Sequence, residues 1–479
     1  METDAPVTAT AQPNQQVQRS LPHVLGEYAE SGCARYHMPG HKGRGMGAFL
    51  PCQAARWDVT ELAMTDNLHE PTGCIRQTQQ MVADAYGARA SFLLVNGSTA
   101  ALQAMLLSLD PSDRLLLYRD CHRSALAGAA LSGVDTVLET PGYDEATGLL
   151  ALPTADELSA ALERTGATAA LVTSPNAYGY CADLAALSAA AHAHGALLLV
   201  DAAHGAHFAF SDRLPASPAG AADLWGHSQH KTLCALTQAA TLHLGACRIE
   251  PERVQRALSL LQTTSPSYLL MSSIDWSVFM AARTDWAKHI DRCEALRRQI
   301  DGIAGLRSGP ALPPGAVDYD KTRIVIDVSD RNISGFEADT ALQHSGVFVE
   351  MADDRRLVLI TSPADDPAWD EKLLSALASL PYGRSPRRIL PAWHTAPSAR
   401  RMTIREASLR RTERVPLAHA AGRTAGEAIG LYPPGIALIA PGEEIRREQV
   451  EELLLLRRAG AVLFGVHGGT IAAVSEEPL

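Results

Sequence analysis

From residue 75 onward one pattern recurs along the chain: a short apolar strand, a turn, then a helix rich in Ala and Leu. "ASFLLVNGSTAALQAMLLSL" runs from strand through a Gly turn into helix, and "DRLLLYRD" is a strand followed by the helical "CHRSALAGAALSG". "TAALVTSP", "ADLAALSAAAHAHG" and "ALLLVDAAHG" form a strand–helix–strand unit. Near-continuous apolar strands separated by helices need a sheet covered on both faces, so the pattern predicts an α/β fold with a mainly parallel sheet. In such a sheet ligands bind beyond the carboxyl ends of the strands. Those ends are where chemistry is to be sought.

At 479 residues the chain is too long for one core. Residues 1–20 have neither a basic start nor an apolar centre, and read as a disordered leader, not a signal peptide. A helix and loop arm is expected over 21–74, and the large domain over 75–305. The Gly/Pro-rich "AGLRSGPALPPGAV" marks the next boundary. Beyond it a smaller α+β domain over 306–390 carries the strands "KTRIVIDVSD" and "RRLVLITS". A C-terminal domain over 391–479 contains "ARRMTIREASLRRTER", which reads as an Arg-rich helix facing solvent or another subunit.

Composition excludes several partners. With 42 basic against 53 acidic side chains the net charge is −11, which argues against binding to nucleic acid. No apolar run approaches the length of a membrane span, so no membrane partner is expected. Eight cysteines are scattered without a C-x-x-C pair, as free thiols of a reducing compartment would be, and a cytoplasmic location follows as an expectation.

Histidines cluster in "VDAAHGAHFAF" (Asp201, His204, His207) and "LWGHSQHKTLCALTQ" (His227, His230, Lys231). Zinc needs three or four well-spaced ligands, and these i, i+3 pairs sit at strand ends and turns without an H-E-x-x-H pattern, so no metal is expected. His207, in an apolar context, reads as a satisfied core residue. The strand-terminal Asp201 and the lysine 30 residues later (231 − 201) suggest a different chemistry. A buried carboxylate needs a cationic partner. Pyridoxal phosphate provides one, its protonated ring nitrogen, while a lysine holds its aldehyde as a Schiff base. "FLLVNGSTAAL" supplies Gly97, Ser98 and Thr99 in a turn at a helix N-terminus, where the dipole favours a phosphate, although such a turn serves equally as a helix cap.

The motifs "YHMPGHKGRG", "DNLHEPTGCIRQTQQ", "LLVNGSTAALQAM", "RDCHRSAL", "LVDAAHGAHF", "GHSQHKTLCALTQAATLH", "TTSPSYLLMSSID", "GVFVEMAD" and "YPPGIALIAPGE" follow one another from about residue 35 to 445. In these motifs and their order the sequence resembles the fold type I pyridoxal-phosphate enzymes, and within them the prokaryotic ornithine/lysine/arginine decarboxylase family in its compact form, without a receiver-like domain. The resemblance implies that Lys231 carries the cofactor, Asp201 holds its ring nitrogen, and His122 and His204 lie against and beside the ring. It implies that Ser98, Thr99, Ser228 and His230 contact the phosphate, joined by Thr263 and Thr264 from a neighbouring subunit of a homodimer, with higher assembly left open.

The implied reaction is α-decarboxylation of arginine, lysine or ornithine to an amine that feeds polyamine synthesis. Glu350 and Asp353 are candidates for the distal cationic group, with a plain surface role as the alternative reading of Asp353. Two departures border the expected site: Asp201-Ala-Ala-His204 replaces the family's D-E-A-H, and Asn176 and Ala177 in "PNAYG" replace its P-T-Y-x-G. They leave another pyridoxal-phosphate reaction open as the alternative, such as transamination, elimination or cyclisation, or a non-catalytic role. A transaminase would need an arginine for the α-carboxylate, for which Arg355 and Arg356 are the candidates.

Overall fold

A computed structural model describes residues 20–31, 52–309, 311–383, 398–432 and 435–475 of the chain. All but the last residue of the expected leader, and the "HMPGHKGRG" loop, lie outside the described residues.

Seven strands form the central sheet: β1 (Ala90–Leu94), β2 (Arg114–Tyr118), β3 (Asp135–Glu139), β4 (Ala169–Thr173), β5 (Leu197–Asp201), β6 (Leu224–Ser228) and β7 (Ala240–Leu244), in the order β1-β7-β6-β5-β4-β2-β3. β2, β3, β4, β5 and β6 pair in parallel, whereas β7 runs antiparallel between β1 and β6. Successive side chains alternate between two cores. Leu115, Leu117 and Leu199 pack on one face, and Leu116, Tyr118, Leu198 and Val200 on the other. This two-sided burial is why these strands read as continuous apolar runs and not as alternating ones.

A separate apolar core joins the C-terminal part of helix Trp286–Asp301 to β8 (Arg323–Asp327), helix Gly335–His344 and β10 (Arg356–Ile360). In this unit β10 lies between β8 and the short β9 (Met351–Ala352), antiparallel to both. A further core within 415–473 includes residues of β11 (Ile429–Leu431) and β12 (Ile436–Ile439). That C-terminal unit is fastened to the large sheet by specific polar contacts. Arg119 pairs with Glu443, both almost fully buried. Arg405 Nη1 donates to the Ala130 and Leu131 carbonyls at 3.0 and 2.7 Å, satisfying the C-terminal end of helix Arg123–Ser132. The Arg123 amide donates to Gly435 O at 2.8 Å.

The Arg-rich stretch departs from its expected single helix. Only Ile404–Leu409 is helical, capped by Thr403 and Glu406, and Thr412–Pro416 pairs as a strand with Thr470–Val474. Arg401 and Arg414 pair with Glu444 and Glu427, so the charges are neutralised locally and do not line one helix face. No helix among the described residues is long and apolar enough to cross a membrane.

Candidate active site

One cavity lies beyond the carboxyl ends of β2, β4 and β5. Ser98, Asp120, His122, Thr173, Asp201, His204 and Lys231 line its strand-end side; Asp353, Arg355 and Arg356 line another wall, and Leu431, Tyr432 and Val462 of the C-terminal unit a third. The parallel register sets Thr173 on β4 beside Asp201 on β5. The fold therefore gathers residues distant in sequence at one sheet edge.

Asp201 ends β5 almost fully buried, and one of its oxygens accepts the Ala203 amide at 3.1 Å. Lys231 sits in the short helix Gln229–Thr232 that follows β6, with Nζ 3.0 Å from His204 Nε2. Burial pushes the Lys231 ammonium below its ordinary range, against the pull of Asp201 and Glu350. His204 is held well below the usual histidine range, first by burial and then by the neighbouring Lys231 and Arg323. His122 caps the helix Arg123–Ser132, its Nδ1 accepting the Ser124 amide at 3.2 Å, and burial lowers its pKa. Gly435 takes a φ of +90°, and a Cβ there would meet the His122 ring at 2.9 Å, so a glycine is what lets the C-terminal unit close against that ring.

Next to Ser98, Gly97 adopts a φ of +69° and donates its amide to Gln238 O at 2.9 Å. A Cβ at Gly97 would meet nothing within 4 Å, which leaves an open cradle at the N-terminus of helix Gly97–Leu107. Ser228 Oγ donates to Ser98 Oγ at 2.8 Å across this cradle, with the more exposed Thr99 beside it. His230 Nδ1 is bound to Ala239 O at 2.9 Å.

The remaining candidates are dispersed. Thr263 and Thr264 are exposed, and Thr263 O accepts from His69 Nε2 at 2.8 Å. Glu350 is exposed and does not line the cavity. Asp353 lines it but is engaged: Oδ2 accepts from Tyr178 Oη at 2.8 Å and from Arg356 Nη1 at 3.1 Å, and Oδ1 accepts the Arg355 and Arg356 amides at 2.7 Å. Asn176 builds the turn that holds Tyr178, its Oδ1 accepting the Tyr178 and Tyr180 amides at 3.0 and 3.1 Å. His207 faces Asp320 at 3.1 Å in full burial, and His227 packs against His243 and Tyr86 inside the protein. Among the described residues no group of three or more His, Cys, Asp or Glu is arranged to hold a metal ion.

Three residues at the site escaped sequence reasoning. Asp120 lines the cavity with Oδ1 unpartnered among the described residues, and burial, reinforced by Asp201, pushes its carboxyl up to about 7. Thr173 leaves its Oγ1 equally unpartnered. Arg323, at the start of β8, is 2% exposed and donates from Nη2 to His204 Nδ1 at 3.0 Å. Asp120 did carry a signal: it closes "LLLYRD" much as Asp201 closes "LLLVD".

The donor set fits pyridoxal phosphate. A glycine-opened helix N-terminus with paired serines suits a phosphate, a buried carboxylate suits a pyridinium, and a half-buried lysine of lowered pKa suits an aldehyde. Sheet order and site together define a fold type I enzyme of the pyridoxal-phosphate class. The sequence matches the model of the Orn/Lys/Arg decarboxylase major domain over residues 20–321 and that of the family's C-terminal domain over 391–465. It is 31% identical to an arginine decarboxylase of Bacillus subtilis (strain 168) over 93% of this chain and 95% of that one. It is also 31% identical to an arginine decarboxylase of Halalkalibacterium halodurans, over 92% and 94%. The crystal structure of the Francisella novicida lysine decarboxylase LdcF superposes with a TM-score of 0.83 at 18% identity, covering 96% of this chain and 82% of that one. The chain belongs to the Orn/Lys/Arg decarboxylase family and is an amino-acid decarboxylase.

Proposed function

We propose that the protein removes the α-carboxylate of a basic amino acid, arginine ahead of lysine and ornithine, to give the amine that serves as a polyamine precursor. The carrying observation is the Lys231 amine, disfavoured as a cation by burial and facing the same cavity as Asp201. Arginine comes first because the similar relatives bear the name arginine decarboxylase.

Pyridoxal phosphate, when bound, supplies an electron sink for the pair left behind as carbon dioxide departs. Ser98, Thr99, Ser228 and His230 are assigned to its phosphate, and Asp201 to keeping the ring nitrogen protonated. With the cofactor bound, His122 would cover the ring face and His204 would lie alongside. Lys231 offers its amine for attachment and then delivers a proton from Nζ to the substrate Cα. In a two-fold assembly the exposed Thr263 and Thr264 reach the partner's phosphate site. Asp353 already serves Tyr178 and Arg356, and Glu350, outside the cavity lining, is a candidate for the distal cation only through its charge, which reaches Lys231 and His230.

The test offers the cofactor-loaded enzyme arginine, lysine and ornithine, and measures carbon dioxide and amine. We expect release from arginine, and a Lys231→Ala protein should lose on the order of 10⁴-fold in rate together with the visible absorbance of lysine-attached cofactor. Intact absorbance with no carbon dioxide from any of the three would overturn the decarboxylase reading in favour of another reaction of the cofactor.

A further inference from the structure

We propose that Arg323 is a positioning residue: it fixes the proton of His204 on Nε2 and thereby holds Lys231 as an unprotonated amine. The use made of that amine rests on the function proposed above; the arrangement of protons does not.

The argument starts from which atoms can donate. A guanidinium has N–H groups only, so the 3.0 Å contact from Arg323 Nη2 makes His204 Nδ1 the acceptor. A neutral imidazole that accepts at Nδ1 carries its single proton on Nε2. That Nε2 lies 3.0 Å from Lys231 Nζ. Nε2–H can only donate, and an ammonium, with three donors and no lone pair, would set donor against donor. Nζ must accept, and it accepts only as the free amine. A doubly protonated ring is excluded in the same way, since its Nδ1–H would face the guanidinium.

The surroundings pull both ways on Lys231: burial, the largest influence, and Arg323 disfavour its charge, while Asp201 and Glu350 favour it. Arg323, His122 and His230 surround the His204 ring together with the Lys231 side chain, and Arg323 itself faces Asp320 and Glu350. Arg323 is built into place. Gly179, at a φ of +90°, lies where a Cβ would come within 2.9 Å of Arg323 Cβ, and the Asp320 amide ties the β8 approach to Gly179 O at 2.7 Å. Arg323 Nε and Nη1 find no hydrogen-bond partner among the described residues, so the bond to His204 is the one its guanidinium makes among them. It also lies outside both stretches matched by the family models, which cover 20–321 and 391–465. An amine kept unprotonated is a nucleophile toward an aldehyde without a prior proton loss.

The test uses full-length cofactor-free protein, so its outcome is separate from that of the decarboxylation assay. In protein labelled with ¹⁵N at histidine, His204 should show a protonated Nε2 and a bare Nδ1 at neutral pH; a protonated Nδ1 would overturn the proposal whatever any variant does. Acylation of Lys231 by acetic anhydride, followed by peptide mass spectrometry against the exposed Lys288 and Lys372, reads the amine directly. Relative to those lysines, Lys231 of Arg323→Met should react about tenfold more slowly at pH 7, the effect of about one unit in its pKa. Arg323→Lys, which can still donate to Nδ1, should restore most of the rate, and in a His204→Ala background the Arg323→Met change should lose most of its effect. A Lys231 rate unchanged in Arg323→Met, or an equal loss with His204 absent, would also overturn it, the latter reducing Arg323 to a through-space charge.

Discussion

Two sides of the cavity treat their polar groups in opposite ways. At the strand ends Asp120 Oδ1 and Thr173 Oγ1 are buried without partners among the described residues, and the Asp201 carboxylate accepts from the Ala203 amide. On the wall formed by the β9–β10 turn, Asp353 is saturated by Tyr178, Arg356 and two backbone amides. Leaving a buried polar atom unpaired costs about 1–3 kcal/mol, so a fold keeps such atoms where something else will meet them. Unmet groups mark the place for a ligand; satisfied ones mark architecture. By that criterion Asp353 belongs to the wall, although its sequence context also suited a substrate acid.

The contrast can be broken by substitution. Asp201→Asn should lower kcat by about 10²–10³-fold, as expected for removing one charge that stabilises the reacting centre, with little change in unfolding midpoint. Asp353→Ala should do the reverse. It strands Tyr178 Oη and Arg356 and should cost about 1–3 kcal/mol in denaturant unfolding, while kcat/KM stays within about tenfold. If Asp353→Ala instead left stability intact and selectively raised KM for arginine, the wall would be a substrate contact and the comparison would fail.

The smallest effect concerns Asp120. Its folded carboxyl holds a proton to about 7, against a usual value of 3.8. The unfolded chain releases that proton first as pH rises, so the folded state loses stability between about pH 4 and 7 and does not regain it above. Asp120→Asn cannot ionise. Its unfolding midpoint should therefore gain on the wild type by more at pH 8 than at pH 5, the buried histidines being common to both proteins. A difference independent of pH would show that Asp120 is ionised in the fold.

Much of the strand-end side was legible in the sequence, because its residues sit at the ends of apolar runs: Asp201 after "LLLV", Ser98 after "FLLVNG", and Lys231 three residues past β6. A strand and its turn are local, and the chain announces them. Arg323 was not legible, because its value comes from contact with a histidine 119 positions earlier in another unit, and an arginine opening an alternating strand looks like an ordinary edge residue. Asp120 was not legible for a similar reason: only the order β5-β4-β2 brings it to the same sheet edge as Asp201, with Thr173 of β4 between them. The Arg-rich segment misled for the opposite reason. Its charge pattern suited a helix, but pairing with Thr470–Val474, almost sixty positions away, overrode local preference.

The Arg119–Glu443 pair has a mechanical side. Arg119 leads directly into the turn that carries Asp120 and His122, so the C-terminal unit and this flank of the cavity are riveted together. Swinging them apart would strand a buried charge at about 3–5 kcal/mol, holding such an open form below roughly one molecule in a hundred. A chain cut between β10 and the C-terminal unit should therefore keep both pieces in one particle.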